Sequence, residues 1–193
     1  MFLKFRSSTT KKTYNAEKIQ KFLEEFTLEP CNRYPFFKEN NCTNFISQVV
    51  YEGGISKIYG PWDNSSSWFC STNSHKELEK ISLSWRTARG FRAHFKSNNR
   101  CSYYEEVTLR KFLDNYNYYC SFLSVGSIIQ YINLSKGTFP YHSQVIYNIN
   151  KNSKNKDIFI CQNTRDLFNY SLLEYLNQLD SNKDYIICLY KFD

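Results

Sequence analysis

The sequence predicts one α+β domain, with helices first and an antiparallel sheet second. Up to about residue 118, apolar residues recur three and four apart, which is helical spacing. Beyond residue 126 they gather into short runs rich in Ile, Val, Tyr and Phe, bounded by Asn, Ser, Gly and Pro, as in paired strands. The 193 residues, 41% hydrophobic and 18% aromatic, supply one core.

Taken in order, residues 1–13 carry charge but no sustained apolar pattern and read as a flexible N-terminal arm, leaving 14–193 as the domain. "YNAEKIQKFLEEF" (14–26) places Ile19, Phe22, Leu23 and Phe26 on one helical face, and Pro30 breaks the pattern. In "NNCTNFISQVVYEGG" (40–54), Phe45, Ile46, Val49 and Val50 form a second face. Gly53–Gly54 close that helix, where a left-handed residue is favoured. Residues 56–75 are rich in Ser, Asn and Trp and read as a long loop. Residues 76–95 predict one or two helices around Leu78, Ile81, Trp85 and Phe91, and 104–118 another around Val107, Leu109, Phe112 and Leu113. Strands are expected over 126–134, 142–149, 157–163 and 185–192, with a helical turn or two at 171–179.

Composition excludes several classes. The net charge of +7 comes from scattered lysines. The local clusters "TTKK" and "KNSKNK" read as a solvated tail and turn, and no nucleic-acid motif accompanies them, so no nucleic acid is expected. No apolar run approaches the roughly 18 residues that suggest a membrane span. The N-terminus lacks an apolar signal core, so the expected location is cytoplasmic, or outside by export without a cleaved signal. Seven cysteines is an odd number, with no CxxC and no short Cys/His spacing. That predicts reduced thiols and no metal site.

Most of those thiols are small hydrophobes by default. Cys42 differs because it opens a helix. There the free N–H groups and the helix dipole lower a thiol's pKa and can stabilise an oxyanion. The alternative is a buried filler near a helix end. A thiol nucleophile needs a base, and the chain offers His75, His94 and His142. His75 lies in the polar loop and His94 in the basic aromatic stretch "RGFRAHF". His142 opens a strand, where alternation puts it on the face of Gln144 and Ile146, opposite Ser143 and Val145; it is the best candidate. A hairpin turning between Asn152 and Ser153 would set Asn163 across from His142, in place to orient the ring. Asn163 as the mere start of a turn is the competing reading. Asn41, Tyr34 and Gln48 are candidate oxyanion donors beside the Cys42 N–H. In "YGPWDNSSSWFC" (59–70), Trp62 and Trp68 are candidates for stacking on substrate, or else rings that close the core under the loop.

In order, "NCTNFISQVVYEGG", "SLSW", "VGSIIQY", "YHSQVIY" and "CQNTRD…NYSL" resemble the bacterial putative amidase domain family, from about Tyr14 to Leu173. That family is similar to the CHAP and NlpC-type cysteine hydrolases of the papain-like superfamily. The resemblance implies a papain-like fold, Cys42 as nucleophile, His142 as base and Asn163 as the third polar group, with no cofactor. The chain departs from the family pattern at Ser127, where Asp is usual, at Tyr141, also usually Asp, and at Asn163, usually a second His. The expected activity is hydrolysis of an amide in a peptide, protein or cell-wall peptide. A toxin-like role with a delivery or immunity partner is compatible with it. Acyl transfer through the same intermediate, or a non-catalytic binding module on this fold, are the alternatives.

Overall fold

The structure, a computed structural model, describes residues 4–6, 14–151, 156–179 and 184–193. Its elements follow in chain order. They are β1 (Lys4–Arg6), α1 (Ala16–Phe26), α2 (Cys42–Glu52), a 3-10 turn (Leu78–Lys80), α3 (Leu83–Arg86), α4 (Ala88–Ser97), β2 (Tyr103–Thr108), α5 (Leu109–Asp114), α6 (Tyr116–Phe122), β3 (Ile128–Asn133), β4 (His142–Asn150), β5 (Asp157–Gln162), β6 (Leu167–Ser171), α7 (Leu172–Asn177) and β7 (Tyr185–Lys191). The strands form one antiparallel sheet in the order β1-β2-β7-β3-β4-β5-β6, an α+β arrangement. Of the expected arm, Lys4–Arg6 pairs with β2 at the sheet edge. The rest of residues 1–13, and most of "KNSKNK", lie outside the described residues. No described helix is long and apolar enough to cross a membrane.

Strand alternation gives the sheet two apolar faces. Ile128, Val145, Cys161, Cys188 and Tyr190 pack against α1, α2 and α4 through Ile19, Phe45, Ile46, Val49 and Phe91. Ile129, Tyr131, Ile146, Ile160 and Leu189 pack against α5, α6 and α7 through Phe112, Tyr119, Leu172 and Leu176.

Two segments differ from expectation. Residues 103–108 are strand where a helix was expected, and helix begins only at Leu109. Tyr, Val and Thr favour a strand, and pairing with both β1 and β7 overrides the apolar spacing. The Thr108 hydroxyl accepts the Lys111 N–H and so caps the start of α5. Strand β6 is unexpected because it is short, at the sheet edge, and interrupted by Asn169 at φ 52°.

One glycine is required by geometry. Gly126 sits at φ 83°, its carbonyl accepts the Tyr14 hydroxyl at 3.0 Å, and an added Cβ would lie 2.5 Å from the Tyr14 ring.

Candidate active site

The helix that carries Cys42 is tied to its neighbours by its own polar residues. Thr43 Oγ1 lies 3.0 Å from Ser143 Oγ on β4. The Asn44 amide donates to the Pro35 carbonyl (2.7 Å) and the Asn41 side chain (2.8 Å), and accepts the Trp85 indole N–H (2.9 Å). Ser47 accepts the Trp68 indole N–H at 3.3 Å. In "CTNFISQ", then, Thr, Asn and Ser each fix the helix to a different neighbour, and these bonds set where Cys42 stands.

All seven cysteines are free, and Cys42 is the one not fully buried. Its Sγ lies 3.8 Å from Thr43 Oγ1. Its N–H, at the first helical position, meets no backbone carbonyl among the described residues and acts on its own thiol. Burial pushes the thiol above its ordinary value. The Thr43 hydroxyl and the backbone amides of Ser143, Thr43 and Cys42 act the other way. The expected depression at the helix end is overturned by desolvation, so the resting group is a thiol.

His142, on the first residue of β4, is held by a chain of amides. Its Nε2 lies 2.8 Å from Gln162 Oε1, and that oxygen also accepts the Gln144 amide at 2.6 Å. Gln162 Nε2 donates to the carbonyls of Arg165 (2.8 Å) and Thr164 (3.3 Å), and the Tyr131 hydroxyl donates to Gln144 Oε1. Two carbonyls facing one end of the Gln162 amide fix that end as NH2. The other end is therefore an acceptor, so His142 carries its proton on Nε2 and presents a bare Nδ1. Burial lowers the His142 pKa, the Gln162 bond opposes it and the charge of Arg165 adds to it, and with the net shift downward the ring is neutral near pH 7. The rings of Tyr131, Tyr141 and Tyr175 lie 6.2, 6.5 and 6.4 Å from it, each near parallel.

Cys42 and His142 come from opposite sides of the sheet. Helix α2 packs on one face, whereas His142 shares the other with Gln144 and Ile146. They approach each other at the sheet end, where β4 begins. The thiol stands beside the backbone of Ser143, the residue that follows His142. No hydrogen bond joins Cys42 to His142 among the described residues.

Asn163 is not the partner of His142. Val145 pairs with Cys161 and Ile146 with Ile160, one residue away from the expected register. That slip brings Gln162 to the ring and turns Asn163 to the opposite face. There it accepts the Asn41 amide at 2.6 Å and donates to the Thr27 carbonyl at 2.7 Å. Asn41 spends its carbonyl oxygen on Phe37 and Asn44 and one amide hydrogen on Asn163, which ties the side chain to the face opposite His142. Gln48 lies six residues along α2, about 9 Å up its axis, and Tyr34 donates its hydroxyl to Glu52 at the far end of the same helix. Neither reaches the thiol.

Trp68 is fully buried and packs on Trp85 at 4.8 Å, so it closes the core under the loop. Trp62 is 37% exposed with the Arg86 guanidinium 5.8 Å from its ring centre. His75 is exposed, and His94 is fully buried with Nδ1 on the Ser65 carbonyl, remote from these bonds. Of the family departures, Ser127 sits in the Gly126 turn with its hydroxyl 3.2 Å from the Ser124 N–H, and Tyr141 is exposed. Sequence reading missed Gln162, Tyr131 and Tyr175. Of the side chains around His142 only Gln144 carried a signal, its shared face with the ring.

The family described as putative amidase domain matches residues 13–188. A 47-residue stretch, 24% of the chain, is 34% identical to the uncharacterized protein YjcM of Bacillus subtilis (strain 168). That stretch spans 12% of the relative's length. No solved structure matches to significance.

Proposed function

The chain belongs to the putative amidase domain family, whose name indicates amide hydrolysis, and from that membership we propose that it is a cysteine-dependent amidase or peptidase. The observation that carries the cysteine mechanism is the fixed tautomer of His142. With Nε2–H held by Gln162, the bare Nδ1 is the nitrogen available to the thiol.

In this reading His142 Nδ1 takes the Cys42 proton as sulfur adds to the amide carbonyl. The developing oxyanion meets the Cys42 N–H, which no backbone carbonyl takes among the described residues. The imidazolium, destabilised by burial and by Arg165, readily returns its proton to the leaving amine. Water, deprotonated by the same nitrogen, then releases the acid from the acyl-enzyme. Closure between Cys42 and His142 is required at the first step, and a bound substrate that displaces water supplies the occasion for it. The substrate proposed is a peptide or peptidoglycan-type amide. An amine in place of water would make the same acyl-enzyme a transferase intermediate.

The test is a mixed peptide and muropeptide digest followed by mass spectrometry, with wild type, Cys42→Ala and His142→Ala compared. Amide cleavage by wild type that both variants lose is expected. Cleavage that persists in Cys42→Ala removes the cysteine mechanism. A binding module is the second reading, favoured by the raised Cys42 pKa and by the lack of a Cys42–His142 hydrogen bond among the described residues. It predicts peptide retention without cleavage.

A further inference from the structure

The turn between β5 and β6 holds two consecutive non-glycine residues in the left-handed region, Thr164 at φ 67° and Arg165 at φ 59°. Asn and Gly take that conformation at far lower cost, and a β-branched Thr there is strained. The turn is kept in place by the Gln162 amide on the Thr164 and Arg165 carbonyls. The Asn41 N–H adds a further bond, donating to Thr164 Oγ1 at 2.9 Å. Thr164 is thereby accounted for, since its hydroxyl anchors the turn to the residue preceding Cys42. Arg165 is not accounted for. Its side chain is exposed, and among the described residues its guanidinium makes no hydrogen bond, ion pair or ring contact. Yet its carbonyl takes the same Gln162 amide whose oxygen meets His142 Nε2, so Arg165 stands one side chain from the ring, and its charge lowers the His142 pKa.

We propose that Arg165 recognises a carboxylate on the substrate beside the scissile amide, so that the enzyme acts on anionic peptides. This rests on Cys42 and His142 forming the reactive pair. An unpaired guanidinium offers a planar fork of donors that matches a carboxylate. The strained turn holds the Arg165 backbone next to Thr164, whose hydroxyl takes the Asn41 N–H at the N-terminal end of α2. A net charge of +7 favours the approach of such substrates.

The test needs no known substrate. Alkylation of Cys42 by iodoacetate and by iodoacetamide is followed at pH 8 by peptide mass spectrometry. The anionic-to-neutral rate ratio is compared among wild type, Arg165→Gln, Arg165→Lys and the distant Arg110→Gln. A guanidinium within about 8 Å of the bound carboxylate raises the ratio about fivefold through partly screened Coulomb attraction. The ratio should fall by that factor in Arg165→Gln, fall less in Arg165→Lys and hold in Arg110→Gln. An equal ratio in wild type and Arg165→Gln, or an equal fall in Arg110→Gln, overturns the role of Arg165 and leaves the cysteine mechanism standing. If Cys42 reacts with neither reagent faster than the six buried cysteines do, both readings fall together.

Discussion

Gln162 Oε1 lies 2.8 Å from His142 Nε2, while the other end of the same amide is spent on the carbonyls of Thr164 and Arg165. A side chain pinned at one end by two backbone acceptors cannot rotate without losing both bonds. It therefore fixes the tautomer of the ring as well as its angle. Replacing Gln162 by Ala frees the imidazole to carry its proton on either nitrogen. Peptide hydrolysis should fall on the order of tenfold or more, since positioned proton transfer contributes at least that much. Paired kinetics of wild type and Gln162→Ala, at matched thermal stability, check it. A rate held within twofold would mean that Gln162 does not orient the base.

The pH dependence of Cys42 reactivity follows from two opposed shifts. Burial raises the thiol and lowers the imidazole, so near neutrality both groups are uncharged and no standing thiolate–imidazolium pair forms. In the free protein, alkylation of Cys42 should keep rising with pH through and beyond the ordinary thiol value of about 8.5. A plateau already reached below pH 7 would instead reveal a preformed ion pair.

His94 makes stability depend on pH. It is fully buried, its Nε2 has no partner among the described residues, and desolvation lowers its pKa to about 4 from an ordinary 6.5. Between those values the unfolded chain binds a proton that the folded chain refuses, so stability falls as pH drops from 6.5 through 4. The loss amounts to about 3 kcal/mol for this group. Urea unfolding at pH 7 and pH 4, on wild type and on His94→Gln, isolates it. The variant should lose less between the two pH values.

Gly126→Ala would force a side chain into φ 83° and set its Cβ 2.5 Å from Tyr14. Strain and overpacking together should cost about 2 kcal/mol or more, against about 1 kcal/mol for Tyr14→Phe, which removes only the hydroxyl bond to the Gly126 carbonyl. Equilibrium denaturation midpoints decide the order; the reverse order would show that the turn relaxes.

Trp68→Ala should destabilise by about 3–5 kcal/mol, because it empties a fully enclosed indole site between Trp85 and Phe95. The thermal midpoint reports the loss. A raised Michaelis constant at unchanged midpoint would return Trp68 to the substrate.

By itself the sequence determined the order of elements and the residues on which chemistry can rest. Helical and alternating periods are local, so α1, α2 and four of the strands were legible from apolar spacing, and Cys42 at a helix start and His142 at a strand start came with them. The strand at Tyr103–Thr108 was not legible, because its apolar spacing suits either period and only its neighbours β1 and β7 make it a strand. Tertiary structure alone decided the site's finer geometry. A register one residue from the expected pairing put Gln162 in place of Asn163 on the imidazole, and side-chain direction in a strand reverses with every such step. Packing also decided the charge state of the thiol. The helix end that lowers its pKa is a property of α2, whereas the burial that raises it exists only once the chain has folded around Cys42.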